Sequence, residues 1–404
     1  MTKTDAVRSV HIDAPSPAGN LARGGATWYS WLLVGSYVYA LSVQGNALPF
    51  LQAEFGLSYR AVSLHSSAIA AGIILVGLFG ERVIRRIGRS ASLRLAAGGL
   101  ATGSVLLCLS PAPWASIASC FLIGLIGTLI HAVVPALLAD IHGERRAEAY
   151  AGQAIVACVF GLSAPLVTGV CIALALGWRA AVVVGGILAI AIALGFRRTV
   201  IVEMPPREQR QGGALPSAFW AYWALCVAAT ALEFSILIWA PAYQERVVGL
   251  GPAAAATAAA GFPLGMLVGR IVLRRLVRRI APRRLLVAAL AIVFLGFLLY
   301  RDVGWPAIAV VGTFVIGLGI GPLYPLSASF AVGSAADKRD IASVRLAIAF
   351  GISLLLAPIA LGTLADLVGL GPAHLVLPAL IAVACCSLFT AEALQRRSSV
   401  STAA

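Results

Sequence analysis

Long apolar runs separated by short polar gaps make up almost the whole chain. Each run is close to the roughly 20 residues that a helix needs to cross the hydrocarbon core of a bilayer. Spanning strands would instead show segments of about 10 residues with alternating polarity, and the sequence has none. The pattern therefore predicts an all-α polytopic membrane protein with twelve spans. We place these spans at residues 28–50, 61–80, 93–110, 114–138, 150–176, 179–197, 218–243, 252–272, 285–300, 305–331, 341–369 and 372–394.

The composition agrees with this pattern and excludes the soluble classes of protein. Of the 404 residues, 60% are apolar and 11% are charged, whereas a typical soluble protein has about 45–50% and about 25%. A soluble enzyme, a disordered protein and a nucleic-acid-binding protein are therefore excluded. The seven cysteines lie in apolar runs without metal-ligand spacing, so no metal or cofactor is predicted. The first 27 residues are polar with no apolar core, so no cleavable signal peptide is expected.

The positive charges lie on one side of the predicted spans. Of the 30 Lys and Arg residues, 26 fall in the terminal segments and in alternate gaps, while four fall on the other side, at Arg60, Arg179, Arg246 and Arg301. Lys and Arg accumulate on the cytoplasmic side of membrane proteins. Both termini and the central connection are therefore predicted to be cytoplasmic, in an inner (plasma) membrane. The net charge of +14 then reflects basic loops beside an anionic leaflet, not a nucleic-acid partner.

The sequence contains two copies of one unit. Phe121–Leu125 matches Phe314–Leu318, and Ala164–Gly169 matches Ala357–Gly362, both at an offset of 193 residues. Because each copy has an even number of spans, the copies are parallel, with a cavity between them near the midplane and alternating access by rocking of the halves. The predicted organisation is a cytoplasmic tail (1–27), a first six-helix bundle (28–198), a cytoplasmic linker (199–216), a second six-helix bundle (217–394) and a second cytoplasmic tail (395–404).

These features, together with one loop motif, resemble the major facilitator superfamily of secondary transporters. The superfamily signature between the second and third spans is Gly-x-Leu-Ala-Asp-Arg-x-Gly-Arg-Arg, and this chain has Arg86, Gly88 and Arg89 at matching positions. Arg85 stands in place of the Asp, and Glu81 in place of the first Gly. In the superfamily the Asp and Arg of this loop lock a cytoplasmic gate. Glu81, one helical turn before Arg85, is the candidate replacement for the missing Asp.

The equivalent loop of the second half again has Arg where the signature has Asp. Further acids and one Arg lie near the predicted cytoplasmic ends of the spans. The resemblance therefore implies a cytoplasmic gate built from residues of both halves. The predicted gate residues are Glu81, Arg85, Arg86, Gly88, Arg89, Arg278, Arg279, Asp140 and Arg345.

A second superfamily motif, which ends Gly-Pro-x-x-Gly-Gly in the fifth span of many antiporters, is partly present. Pro165 and Gly169 match it, and Pro358 and Gly362 form a near copy in the eleventh span. The resemblance favours antiport only slightly, because small residues also let two membrane helices pack closely.

One acid lies in the middle of an apolar run. Glu233 is near the centre of the seventh span and has no Lys or Arg within two turns on that span. A carboxyl group without a counter-charge in hydrocarbon favours its neutral form, so it can bind and release a proton. Glu233 is therefore the predicted proton-coupling residue, and the alternative is a protonated side chain with a structural hydrogen bond.

Other polar side chains lie at comparable depths in the spans. Each is a candidate for substrate contact or proton relay, and each has the alternative of a hydrogen bond between packed helices. These candidates are Gln44, Asn46, His131, Gln153, Tyr324, Thr230 and Gln244.

The predicted function is secondary active transport of a small, neutral or singly charged organic solute by alternating access, coupled to protons, with antiport or efflux slightly favoured over uptake. The two lysines, Lys3 and Lys338, follow no glycine-rich phosphate-binding run, so ATP is not a partner. The other partners expected are the lipid bilayer and H⁺, with the protein as a monomer. The alternatives are a transporter-like membrane sensor or receptor, and a membrane-embedded lipid-modifying enzyme.

Overall fold

The computed structural model describes residues 17–201, 203, 215–301, 305–335 and 338–403. Throughout these residues the chain is helical, with short connections and no strand. The helices are α1 (Pro17–Phe55), α2 (Tyr59–Ile87), α3 (Arg89–Cys108), α4 (Pro113–His142), α5 (Arg146–Ala173), α6 (Trp178–Gly195), α7 (Ser217–Arg246), α8 (Pro252–Leu276), α9 (Pro282–Arg301), α10 (Pro306–Ser334), α11 (Arg339–Val368) and α12 (Val376–Ala403). Thr128 interrupts α4, Ala260 interrupts α8, and a short turn, Leu370–Ala373, precedes α12.

Eleven of the described helices, α2 to α12, are long and apolar enough to cross a membrane. The remaining helix, α1, has 39 residues, but polar residues such as Ser36, Ser42 and Gln44 lower its hydropathy. Those three side chains are at most 2% exposed, so α1 is packed inside the bundle as its twelfth member. The predicted all-α membrane fold with twelve helices is confirmed.

The first and last helices extend furthest beyond the predicted spans. α1 begins at Pro17 and α12 continues to Ala403, whereas the corresponding spans were placed at 28–50 and 372–394. A helix satisfies its backbone hydrogen bonds internally, so it continues outside the bilayer until a residue breaks it. Residues 379–403 contain neither Gly nor Pro, which explains the extension of α12.

The connections are short because glycines make the sharp turns. Gly88 joins α2 directly to α3 with a φ of +82°, and its amide closes α2 by donating to the carbonyl of Ile84. A residue with a Cβ is strained at that φ. The match of Gly88 to the loop signature is therefore a backbone requirement. Of the predicted linker, residues 202 and 204–214 lie outside the described residues.

The two halves use the same helix crossing. A Cβ atom on Gly72 of α2 would lie 2.3 Å from the backbone nitrogen of Leu125 in α4. One on Gly265 of α8 would lie 2.1 Å from the carbonyl oxygen of Phe314 in α10. Gly72 and Gly265 are 193 residues apart, the offset found in the sequence. The α2–α4 crossing of the first half is thus built again as α8–α10, as two parallel repeats require.

The halves also meet where α1 passes α7. A Cβ atom on Gly45 would lie 2.9 Å from the carbonyl oxygen of Leu237, and these residues are repeat partners at an offset of 192. α7 is largely buried, since 20 of its 30 residues are buried. Between residues 228 and 244 only Glu233 and Leu237 are not fully buried, which matters for the site.

Both described ends of the chain lie on one face of the bundle. Near the start of α1, Thr27 Oγ1 is 2.8 Å from Nε2 of His142 at the end of α4. At the start of α7, the Tyr222 hydroxyl donates to Gln395 Oε1 in α12 over 2.9 Å. We name this the basic face, because it carries the α2–α3 and α8–α9 connections with their arginines. The face with the α1–α2, α7–α8 and α11–α12 connections is named the opposite face.

Candidate functional site

Direct contacts between the halves concentrate at the opposite face. Asp366, near the end of α11, accepts hydrogen bonds from the backbone amides of Tyr59 (2.7 Å) and Arg60 (2.9 Å) in the first turn of α2. The first amides of a helix have no partner within the helix and carry a partial positive charge. The carboxylate of one half therefore caps a helix of the other half.

A second inter-half contact lies beside this cap. Arg246, the last residue of α7, donates to Gln52 Oε1 of α1 over 2.6 Å. Its guanidinium lies 5.4 Å from the ring centroid of Tyr59, and Tyr59 packs against Trp239 at 5.8 Å. Together with Asp366 these residues close the opposite face. The sequence reasoning counted Arg246 only as an orientation signal and gave no role to Asp366.

The predicted packing glycines lie in this closed region. A Cβ atom on Gly169 of α5 would be 2.1 Å from Thr257 Oγ1 in α8. A Cβ atom on Gly362 of α11 would be 2.7 Å from the carbonyl oxygen of Tyr59. Both glycines, four residues after Pro165 and Pro358 of their own helices, thus allow close approach of the two halves. These two contacts account for the antiporter-like motif and its near copy by helix packing.

At the basic face, the predicted gate residues pair within the first half. Arg89 and Asp140 form an ion pair of 2.7 Å that joins α3 to α4. Glu81 pairs at 3.4 Å with Arg85 on its own helix, and both side chains are about half exposed (56% and 52%). Glu81 therefore makes no contact across the halves here. Among the described residues no ion pair joins the two halves at this face.

Glu203 of the linker takes a position that the sequence reasoning did not foresee. Its carboxylate accepts hydrogen bonds from the backbone amides of Arg89 (2.8 Å) and Ser90 (3.0 Å) and so caps α3. The remaining gate candidates are exposed, namely Arg86, Arg278, Arg279 and Arg345. The carbonyl of Arg345 accepts from Trp223 Nε1 of α7 over 2.8 Å. The basic face is therefore the less tightly closed face of the bundle.

Glu233 lies near the middle of α7. It is partly exposed, although its neighbours Leu232 and Phe234 on the central helix α7 are buried. Within the described residues its carboxylate forms no hydrogen bond and no ion pair within 4 Å. Tyr324 of α10 and Arg270 of α8 lie within electrostatic reach of it. Two predicted site residues, Glu233 and Tyr324, are thus within electrostatic reach of each other.

Arg270 is the site residue that the sequence reasoning missed. It was counted with the basic connection between α8 and α9, but its Nη1 donates to Cys158 Sγ of α5 over 2.9 Å, across the two halves. Its Nε is buried without a hydrogen-bond partner. The one sequence feature that points to an interior role for Arg270 is its position inside the predicted span 252–272. The long side chain alone did not reveal whether the charge reaches the connection or the interior.

His131 lies on the first-half side of the interior. It is exposed, yet its ring packs edge-on against the buried Tyr37 of α1, with centroids 5.2 Å apart. Gln153 of α5 is partly exposed and its Oε1 is buried without a partner. Both side chains remain candidates for contact with a solute.

Four other predicted site residues are packed within one half. Gln44 accepts from Ser66 of α2 over 3.3 Å, and Asn46 donates to the carbonyl of Ser42 over 3.0 Å. Thr230 bonds to Ser353 of α11, and Gln244 to Thr313 of α10, both over 2.7 Å. All four are at most 2% exposed. They therefore lie away from the accessible surface around Glu233.

The arrangement suits ion and solute binding in an enclosed space better than metal chemistry. In the part of the chain that the structure describes, no group of three or more His, Cys, Asp or Glu side chains could hold a metal ion. The accessible groups in the middle are one carboxyl, one guanidinium, one phenol, one imidazole and one amide. These groups bind protons and small polar molecules.

Comparison with known proteins places this architecture in a family. The sequence matches the model of the Major Facilitator Superfamily over residues 30–331. The fold is similar to a bacterial homologue of the human lysosomal transporter Spinster in an inward-facing, unoccupied conformation, with 14% identity, a TM-score of 0.70, and coverage of 94% of this chain and 98% of that one. It is also similar to the nucleoside transporter NupG, with 11% identity, a TM-score of 0.71, and coverage of 92% and 98%. No curated protein matches the chain.

The family match spans well over half of the chain, and it agrees with the repeated six-helix packing described above. The chain therefore belongs to the major facilitator superfamily, a family of multi-pass membrane transporters and not of enzymes.

Proposed function

We propose that this protein is a proton-coupled secondary transporter of a small organic solute, in which Glu233 carries the proton. The observation that carries the proposal is that Glu233 is partly exposed at the centre of the largely buried helix α7 and has no hydrogen bond or ion pair within 4 Å in the described residues. A carboxyl group in such surroundings is costly to keep charged. It can therefore accept a proton from one side of the membrane and release it to the other.

The two faces of the bundle support alternating access as the transport mechanism. The opposite face is closed by Asp366, Arg246 and the close approach of Gly169 to α8. Each described ion pair of the basic face lies inside one half, as with Arg89–Asp140 in the first and Arg283–Glu392 in the second. Rocking of the halves (28–198 and 217–394) about the α1–α7 contact would open the opposite face and close the basic face.

The positive charges suggest which face is cytoplasmic. With 26 of the 30 Lys and Arg on the basic side, that face is proposed to lie in the cytoplasm of a plasma-membrane protein. The conformation described is then an inward-facing one. The glycines of the antiporter-like motif are accounted for by packing, so they favour neither export nor uptake.

Transport into proteoliposomes tests the role of Glu233. A thermal-shift screen of metabolites and drugs at two pH values first identifies a solute. Glu233→Gln is then expected to abolish accumulation driven by a pH gradient and to retain part of the solute exchange at equal pH, because the amide keeps the size but cannot release a proton. The matched control is Glu245→Gln, on the same helix but near its end at the opposite face. If Glu233→Gln accumulates solute like the parent, the coupling role is wrong.

A further inference from the structure

Arg270 carries a positive charge that its surroundings do not balance. A guanidinium has five N–H donors and no acceptor. In the described residues Arg270 makes one hydrogen bond, from Nη1 to Cys158 Sγ over 2.9 Å, and its Nε is buried without a partner. A thiol is only a weak acceptor. Most of the hydrogen-bonding capacity of this side chain is therefore unused.

The nearest acid does not fill this role. Glu233 is within electrostatic reach of Arg270, but the two groups form no ion pair within 4 Å. A charge inside a membrane protein is usually paired or marks an ion or substrate pathway. Arg270 joins α8 of the second half to α5 of the first, at the interface between the repeats to which transporter binding sites belong. It lies toward the end of α8 at the basic face.

We propose that Arg270 is the anchor for a carboxylate group of the transported solute, so that the substrate class is small organic monoanions. The planar fork of a guanidinium binds a carboxylate through two parallel hydrogen bonds. Nη1 is held by Cys158, so Nη2 and Nε are the two nitrogens of this fork. Nε is buried here, so the solute must uncover it as it binds. This inference names the substrate class for the proposed function and rests on it.

Coupling to the proton follows from the position of the two groups. When Glu233 is ionised it attracts Arg270 and repels an incoming carboxylate. When Glu233 binds a proton, both effects disappear and the anion binds to a free guanidinium. One proton and one carboxylate are thus bound together, and the pair is electrically neutral. Among the other titratable groups, Tyr324 of α10 lies within electrostatic reach of both Glu233 and Cys226 of α7. Cys158 of α5 contacts the guanidinium, and His131 of α4 is exposed.

Binding of matched acids and amides to the detergent-purified full chain tests the proposal. Benzoate and L-lactate are compared with benzamide and L-lactamide by thermal shift and titration calorimetry at pH 6 and pH 8. The carboxylates are expected to stabilise the protein, more strongly at pH 6, and the amides are not. If no carboxylate binds, or if the amides bind equally well, the proposal is wrong.

Variants of Arg270 identify the residue that binds. Arg270→Gln is expected to weaken benzoate binding roughly 100-fold, and Arg270→Lys roughly 10-fold because it keeps the charge but loses the fork. The matched control, Arg275→Gln, changes an exposed arginine further along α8 and should bind as the parent does. Without ligand, Arg270→Gln should melt no lower than the parent, because it removes an unbalanced charge. Unchanged benzoate binding in Arg270→Gln would overturn the proposal.

Two further variants separate this proposal from the proposed function. Glu233→Gln should bind benzoate equally at pH 6 and pH 8, whereas Glu245→Gln, near the end of the same helix, should keep the pH dependence of the parent. If Glu233→Gln binds benzoate but still accumulates it in a pH gradient beyond the level of protein-free vesicles, the anion site stands and the proton role of Glu233 fails. If Glu233→Gln loses accumulation while Arg270→Gln binds benzoate normally, the proton role stands and the anion site fails.

Discussion

The carboxylate of Asp366 in α11 accepts a 2.7 Å hydrogen bond from the backbone amide of Tyr59, the first residue of α2. The second carboxylate oxygen accepts a 2.9 Å hydrogen bond from the next backbone amide, that of Arg60. The side chain of Ser58 accepts from the amide of Ala61. The N-terminus of α2 is therefore capped jointly by its own half and by the other half. Opening of the opposite face must break the part that Asp366 supplies.

Removal of this acid should weaken closure of the opposite face. Asp366→Ala is expected to cost the closed state about 1–2 kcal/mol, a shift of roughly 5- to 30-fold in population, because two charge-assisted hydrogen bonds are lost. Hydrogen–deuterium exchange of the peptide that contains Tyr59 and Arg60 measures the effect as faster exchange.

The control for this prediction is an acid at the same face that stays within one half. Glu54 pairs with Arg179 in the first half, so Glu54→Gln should leave the exchange of Tyr59 and Arg60 unchanged. Equal exchange rates in Asp366→Ala and the parent would contradict the role of Asp366 as an inter-half contact.

Close packing of Gly169 against Thr257 predicts a rescue experiment. Gly169→Ala puts a Cβ atom 2.1 Å from Thr257 Oγ1. Because this distance is far too short for two atoms that are not bonded, the variant should lower the unfolding free energy by about 1–3 kcal/mol. Thr257→Ala removes the colliding hydroxyl, and the double variant should recover most of the loss in melting temperature.

Gly362 offers the contrasting case. Its nearest neighbour is the carbonyl oxygen of Tyr59 at 2.7 Å, which is backbone and cannot be removed by a substitution. Gly362→Ala should therefore be destabilising, and no side-chain substitution should rescue it.

If Thr257→Ala fails to restore the stability of Gly169→Ala, the close approach of α5 and α8 does not limit the packing there.

The buried pair of Thr230 and Ser353 predicts a structural and not a transport effect. Thr230→Val should lower the unfolding free energy by about 1 kcal/mol, because Ser353 loses a 2.7 Å hydrogen-bond partner. In a double-mutant cycle with Ser353→Ala, the double variant should lose less unfolding free energy than the sum of the two single losses. Proton coupling should be unchanged. If Thr230→Val loses coupling but melts like the parent, Thr230 belongs to the transport site and this prediction is wrong.

The two histidines His65 and His131 should respond differently to substitution. In His65 both ring nitrogens have partners at 2.8 Å, the carbonyl of Val62 and the hydroxyl of Ser116. His65→Gln should therefore cost about 1–3 kcal/mol of unfolding free energy. His131→Gln, on an exposed side chain, should change stability by no more than about 0.5 kcal/mol. Thermal unfolding of both variants compares them, and a larger loss in His131→Gln would contradict its position in the opening.

The sequence by itself determined the architecture. The need for about 20 apolar residues per crossing predicts the twelve helices, and the constant offset of 193 residues predicts the repeated crossing now found at Gly72 and Gly265. The isolated position of Glu233 on its own helix was also sufficient to select it, because a lone carboxyl in an apolar run is rare on energetic grounds alone.

Only the tertiary structure decided which polar side chains share the interior. Gln44, Thr230 and Gln244 look as suitable as Glu233 along the sequence, but each is buried and has a hydrogen-bond partner on a neighbouring helix. Gln44 Nε2 and Gln244 Oε1 have none among the described residues. Arg270 looks like part of a basic connection until α5 is brought against it. Contacts between helices far apart in the chain depend on how the helices cross, and the order of residues along one helix does not specify that crossing.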